Sequence, residues 1–202
     1  MDNNRPAQSD SNLQSDSYFR THGCSDPIFI IGYMGCGKTT FGHALATATG
    51  RQFIDLDFYI EQRFHRSITE IFASDGECHF RKLERAMLHE VADFENSIIA
   101  CGGGTPCFFD NIDYMLERGT VVFLEASTER IVERITINNA RRPLMAGKTK
   151  EEIRETVDKG LSSRLNYYRK AHIIHCGDNL EDRNQISETI SAFLKQHFPV
   201  GT

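Results

Sequence analysis

No run of apolar residues in this 202-residue chain approaches the ~18 to 20 needed to cross a bilayer. The opening stretch MDNNRPAQSDSNLQ also lacks the apolar centre of a secretory leader. The expected setting is therefore cytoplasmic, with no membrane contact. Metal-ligand spacing is missing as well. Cys24, Cys36, Cys78, Cys101, Cys107 and Cys176 include no C-x-x-C pair, so reduced thiols are expected rather than a zinc site. Basic charge is in short supply, with 23 Lys and Arg against 28 Asp and Glu and a net charge of −5. Phosphate-rich polymers and anionic lipids attract basic faces, so nucleic acid is disfavoured and a small-molecule partner is expected. With 15 glycines, 5 prolines and 40% apolar residues, neither a collagenous nor a wholly disordered chain fits. No internal repeat and no second domain boundary is present.

What the chain does contain is alternation. Residues 1–25 are rich in Asn, Ser, Asp and Gln and hold too few core-forming side chains to offset their ordering entropy, so a disordered tail is expected, followed by a single domain over 26–202. After Pro27 comes Ile-Phe-Ile-Ile over 28–31, the continuous apolar run of a strand buried on both faces. Further strands are expected at 52–55, 97–100, 120–124 and 172–175. Helices are expected at 38–48, 57–65, 67–74, 77–94, 108–118, 127–136, 149–169 and 183–197. Five strands alternating with helices imply an α/β fold, a parallel sheet covered on both faces in three α/β/α layers.

The sequence GYMGCGKT over 32–39 matches G-x-x-x-x-G-K-[ST] directly after the buried strand and at the start of a helix. Such a P-loop lets backbone N–H groups converge on phosphate oxygens, with the helix N-terminus adding positive potential. Lys38 reaches the β- and γ-phosphates and the Thr39 hydroxyl ligates Mg²⁺. The expected nucleotide contacts are Gly35, Cys36, Gly37, Lys38, Thr39 and Thr40, although Thr40 also suits helix packing. Asp55, closing the next short strand, supplies the second oxygen ligand that one Mg²⁺ ion needs beside ATP. Asp57 stands open between two roles, an N-cap for the following helix and a group that acts on an acceptor hydroxyl.

Three further features are ambiguous in isolation. Arg81 and Glu84 are three residues apart on one helical face, which a surface ion pair explains equally well. The glycines at 102–104 suit a tight turn or, more favoured, a backbone left bare for a ligand. Arg142 and Arg164 would be solvated charges if nothing else were present. Phe108 and Phe109 read as core residues on a helix, His172 and His175 as edge or core histidines, and Cys36 as a small loop residue.

Taken in order, the P-loop, Asp55-x-Asp57, Phe80-Arg81-x-x-Glu84, the glycines at 102–104, Arg142-Pro-Leu144 and Arg164-x-x-x-Tyr168-Arg169 together resemble the shikimate kinase family over about 27–195. The resemblance implies P-loop kinase architecture with strand order 2-3-1-4-5. It also implies a monomer that phosphorylates the shikimate 3-hydroxyl with ATP on the route to aromatic amino acids. Asp57, Arg81, Gly103 and Arg164 would hold shikimate, and Asp57, Lys38 and Arg142 would be the catalytic set. Arg142 would sit on a lid near 138–148 and contact ATP phosphates, with Arg134 against the adenine. Two arginines suit shikimate, a carboxylate, because the guanidinium fork binds carboxylates with a geometry Lys cannot copy. The nearest rival is another small-metabolite kinase of this architecture, such as a gluconate kinase or a nucleoside-monophosphate kinase. A catalytically silent nucleotide-binding module is a third reading, against which the complete set of chemical residues counts.

Overall fold

A computed structural model describes residues 25–137 and 147–198. The expected tail, apart from Ser25, lies outside them. So do Arg142 and the expected lid, apart from Gly147 and Lys148.

The apolar run at 28–31 is strand β1 (Ile28–Ile31), buried along its whole length. Each fully buried Ile or Phe contributes about 1.5–3 kcal/mol over its exposed state, so the loop that follows has a fixed base. A parallel sheet in the order β2-β3-β1-β4-β5 grows around it, with β2 (Gln52–Asp55), β3 (Ser97–Ala100), β4 (Thr120–Glu125) and β5 (Ile173–Cys176). Phe29 lies in register with Ile99 on one side and Val121 on the other. The edge strands are less buried than β1, β2 being fully buried only at Ile54 and β5 only at Ile173.

Seven α-helices lie in the described residues: α1 (Lys38–Thr49), α2 (Leu56–Phe64), α3 (Ile68–Ala92), α4 (Asn111–Arg118), α5 (Thr128–Ile137), α6 (Lys150–Tyr168) and α7 (Arg183–His197). They cover both faces of the sheet, α1 packing with α7 and α5 with α6. None is long and apolar enough to cross a membrane.

One local expectation is met and two need correction. The helices expected at 67–74 and 77–94 are both present as the two segments of α3, begun by a Ser67/Glu70 capping box and separated at Gly76, whose φ of 78° and ψ of 169° are not helical. The helix expected at 108–118 is shorter, since α4 begins only at Asn111 and a separate 3₁₀ turn (Thr105–Cys107) precedes it. Asn111 ties the two together, its side-chain amide donating to the Thr105 carbonyl at 2.8 Å. Phe109 between them takes a left-handed φ of 51° and is 53% exposed, so it is not a core residue.

Because every strand is parallel, their carboxyl ends share one edge. The connection after β1 runs toward β2 and the one after β3 crosses to β4, which opens a crevice at the middle of the sheet. The P-loop, Asp55 and the glycines at 102–104 all leave strands at that edge.

Candidate active site

A cavity of about 450 Å³ lies at this edge. Its lining includes Gly35, Gly37, Lys38, Thr39, Thr40, Asp55, Asp57, Gly102, Gly103 and Arg134. Gly37 caps α1 at a left-handed φ of 104°, a conformation that side chains resist and that turns the first helical N–H groups toward the cavity. Lys38 folds over the loop and donates from Nζ to the carbonyls of Gly32 at 2.8 Å and Tyr33 at 3.1 Å. Thr40 is exposed to the cavity rather than packed under the helix. The Thr39 hydroxyl donates to Asp55 Oδ2 at 3.1 Å. This pairing of hydroxyl and carboxylate oxygens at the cavity wall suits a hard, oxygen-liganded cation.

The N-cap of α2 is Asp55, whose side chain accepts from the Phe58 N–H. Asp57 already lies in the first turn, so the capping role considered for it belongs to its neighbour. Asp55 and Asp57 both line the cavity, one at the end of the strand and the other in the first turn of the helix that follows. Burial, reinforced by the nearby charges of Asp55 and Glu84, pushes the Asp57 carboxyl up to about 6, while Lys38 pulls the other way.

The glycines at 102–104 each lie against a different charged group. A methyl group on Gly102 would come within 2.8 Å of Asp57 Oδ1 and 3.2 Å of Glu84 Oε1. On Gly103 it would stand 3.4 Å from Arg164 Nη1 and 3.3 Å from the Gly32 carbonyl oxygen. On Gly104 it would press into the Arg81 guanidinium at 2.8–3.0 Å. Three bare residues thus let two carboxylates and two guanidinium groups converge on a single turn.

The Arg81–Glu84 pair is no surface bridge. Glu84 is 1% exposed, accepts from Arg81 Nη1 at 2.7 Å and accepts from the Thr105 hydroxyl at 2.7 Å. Phe108, expected in the core, lies against Arg81 with its ring centroid 4.0 Å from Cζ. The Arg164 guanidinium lies 5.3 Å from the Tyr33 ring centroid. Tyr168 donates its hydroxyl to the Gly103 carbonyl at 2.6 Å.

A model of the shikimate kinase family matches residues 34–195. The chain belongs to the shikimate kinase family. A shikimate kinase of Bacteroides fragilis is 46% identical over 168 residues, covering 83% of this chain and 94% of the relative. A shikimate kinase of Flavobacterium johnsoniae is 41% identical over 172 residues, with 84% of this chain and 97% of the relative covered. The crystal structure of shikimate kinase from Bacteroides thetaiotaomicron superposes with a TM-score of 0.83 at 44% identity, over 85% of this chain and 98% of that one. A gluconokinase from Sinorhizobium meliloti, at 16% identity and a TM-score of 0.53, covers 87% of this chain and 93% of its own and shares the fold alone.

Within this shikimate kinase framework Arg134 borders the P-loop, donating from Nη1 to the carbonyls of Gly35 and Cys36 and pairing with Glu181. The histidines fall where expected. His172 accepts from the Val121 N–H, and His175 packs among Phe41 and Phe193. Sequence reasoning missed Thr105, Phe108, Tyr33 and Glu77 as site neighbours. The S/T side chain three places after a strand-ending glycine was the only available hint, and only for Thr105.

Proposed function

We propose that the chain transfers the γ-phosphoryl group of ATP to the 3-hydroxyl of shikimate, giving shikimate 3-phosphate and ADP. The observation that carries this is the convergence of Asp57, Arg81 and Arg164 on the glycines at 102–104, of which Gly102 and Gly103, with Asp57, line the same cavity as the P-loop. The P-loop N–H groups and Lys38 hold the nucleotide phosphates. Arg81 and Arg164 take the acceptor carboxylate in their forks, and the Gly103 backbone lies alongside the ring.

Asp57 orients the 3-hydroxyl and accepts its proton as the P–O bond forms. A carboxyl pushed up to about 6 is ionised at neutral pH yet closer in basicity to its task than an ordinary aspartate. Phosphoryl transfer has a loose transition state, so positioning and charge stabilisation matter more than base strength. Thr39 and Asp55 are the residues that would hold Mg²⁺, which would neutralise charge on the phosphates. Arg134 contacts the adenine, Arg142 contacts the phosphates from a lid near 138–148, and the enzyme works as a cytoplasmic monomer.

Coupled ADP release with shikimate, quinate, gluconate and nucleoside monophosphates in parallel tests this reading. Turnover is expected with shikimate and should require Mg²⁺. Faster turnover of gluconate or a nucleotide would overturn it.

A further inference from the structure

Arg81 is engaged along two edges of its guanidinium. Nη1 donates to the buried Glu84, while Nε and Nη2 both donate to Oε1 of Glu77, at 3.3 and 3.1 Å. Phe108 lies against the guanidinium, 4.0 Å from Cζ. The Nε–Nη2 edge, where a carboxylate docks side-on, is therefore held by a carboxylate of the chain itself.

The two acids differ in their freedom to let go. Glu84 is 1% exposed and accepts a second bond from Thr105, so releasing Arg81 would strand a buried charge. Glu77 is 58% exposed, and water can replace what it loses. It also follows Gly76 directly, where α3 leaves helical geometry, so its segment is joined to the rest of the helix through a break.

We propose that Glu77 is a built-in competitor for the acceptor carboxylate. It holds the Nε–Nη2 edge of Arg81, aims the guanidinium, and yields the edge when the acceptor docks. The contact is a threshold for entry. A simple anion gains too little to displace Glu77, whereas an acceptor whose hydroxyls are also gripped gains enough. This rests on the reading of Arg81 as a carboxylate anchor.

Titration calorimetry on the full chain tests it, using wild type, Glu77→Gln, Arg81→Lys and the double variant. The ligands are shikimate, its carboxamide analogue and acetate. Glu77→Gln is expected to bind shikimate about two- to five-fold more tightly, the range an exposed ion pair allows. Its affinity for the carboxamide should be unchanged, and acetate should compete with shikimate more effectively than in wild type. The gain should vanish in the Arg81→Lys background, because the competition acts through that fork. Equal or weaker shikimate binding by Glu77→Gln overturns the proposal. So does a gain that survives Arg81→Lys, which would mark simple charge repulsion. If Arg81→Lys alone leaves shikimate binding untouched, the anchor reading itself falls, an outcome separable from both.

Discussion

The two halves of the candidate site, the P-loop side and the cluster around the glycines at 102–104, are built from different materials. The phosphate half is mostly backbone: a few residues between β1 and α1, with Lys38 and Thr39 as the chemical side chains. The acceptor half is mostly side chains, drawn from α2, α3, the turn after β3, and α6, and its carboxylates and guanidinium groups touch one another. A backbone cradle tolerates changes around it. A lattice of buried charges does not, because removing one member leaves another unpaired.

The largest effect should come from the phosphate half and remain confined to it. Lys38→Ala is expected to abolish measurable turnover, because its charge serves the phosphates, while calorimetric melting barely moves.

Asp57→Asn should break the comparison most informatively, because its effects on rate and stability point in opposite directions. A fall in kcat of roughly 10² to 10⁴ is expected, with the KM for ATP nearly unchanged. The fold should become more stable near pH 7.5. The native carboxyl titrates at about 6 against an ordinary 3.8, so the folded state holds its proton more tightly than the unfolded chain does. Stability from this group is therefore present below about pH 4 and lost as pH rises through 6. The melting advantage of Asn over Asp should shrink on acidification through that window, and wild-type kcat/KM should fall as pH drops below about 6.

Arg81→Lys is expected to raise the KM for shikimate by about ten- to a hundred-fold, the worth of a charged bidentate contact, with the KM for ATP within about two-fold. Equal damage to both constants would erase the division between the halves. Phe108→Leu should be mildest, raising the shikimate KM by about two- to five-fold through loss of a cation–π contact. Steady-state kinetics with each substrate varied in turn measures both.

The phosphate half was legible in the sequence because its signal is contiguous. An apolar run, the spaced glycines and Lys-Thr occupy 28–39, and Asp55 ends the next apolar strand. Strand positions and sheet order were legible for the same reason, since buried runs and alternation are local. The acceptor half was reached through the resemblance to a family, which named Arg81, Gly103 and Arg164 as partners. The structure brings them together. Its physical reasons stayed hidden, because they are contacts between distant segments. Glu84 looks like half of an ordinary ion pair until Thr105, 21 residues on, closes over it. Phe108 reads as core until the 3₁₀ turn sets it against Arg81. The capping role considered for Asp57 falls to Asp55 because the helix starts at Leu56.

Beneath the acidic floor of the cavity lies Cys101, 1% exposed, with its sulfur 3.8 Å from that of Met115. Burial, together with the charges of Glu84 and Asp57, pushes its thiol far above the usual range, so in the closed fold it is neither nucleophilic nor reachable. Exposed Cys78 has no such shelter. The chain therefore carries its own clock. Alkylation of Cys78 counts time in solution, and the slower alkylation of Cys101, read by mass spectrometry on the same molecules, counts how often the floor of the catalytic crevice breathes open.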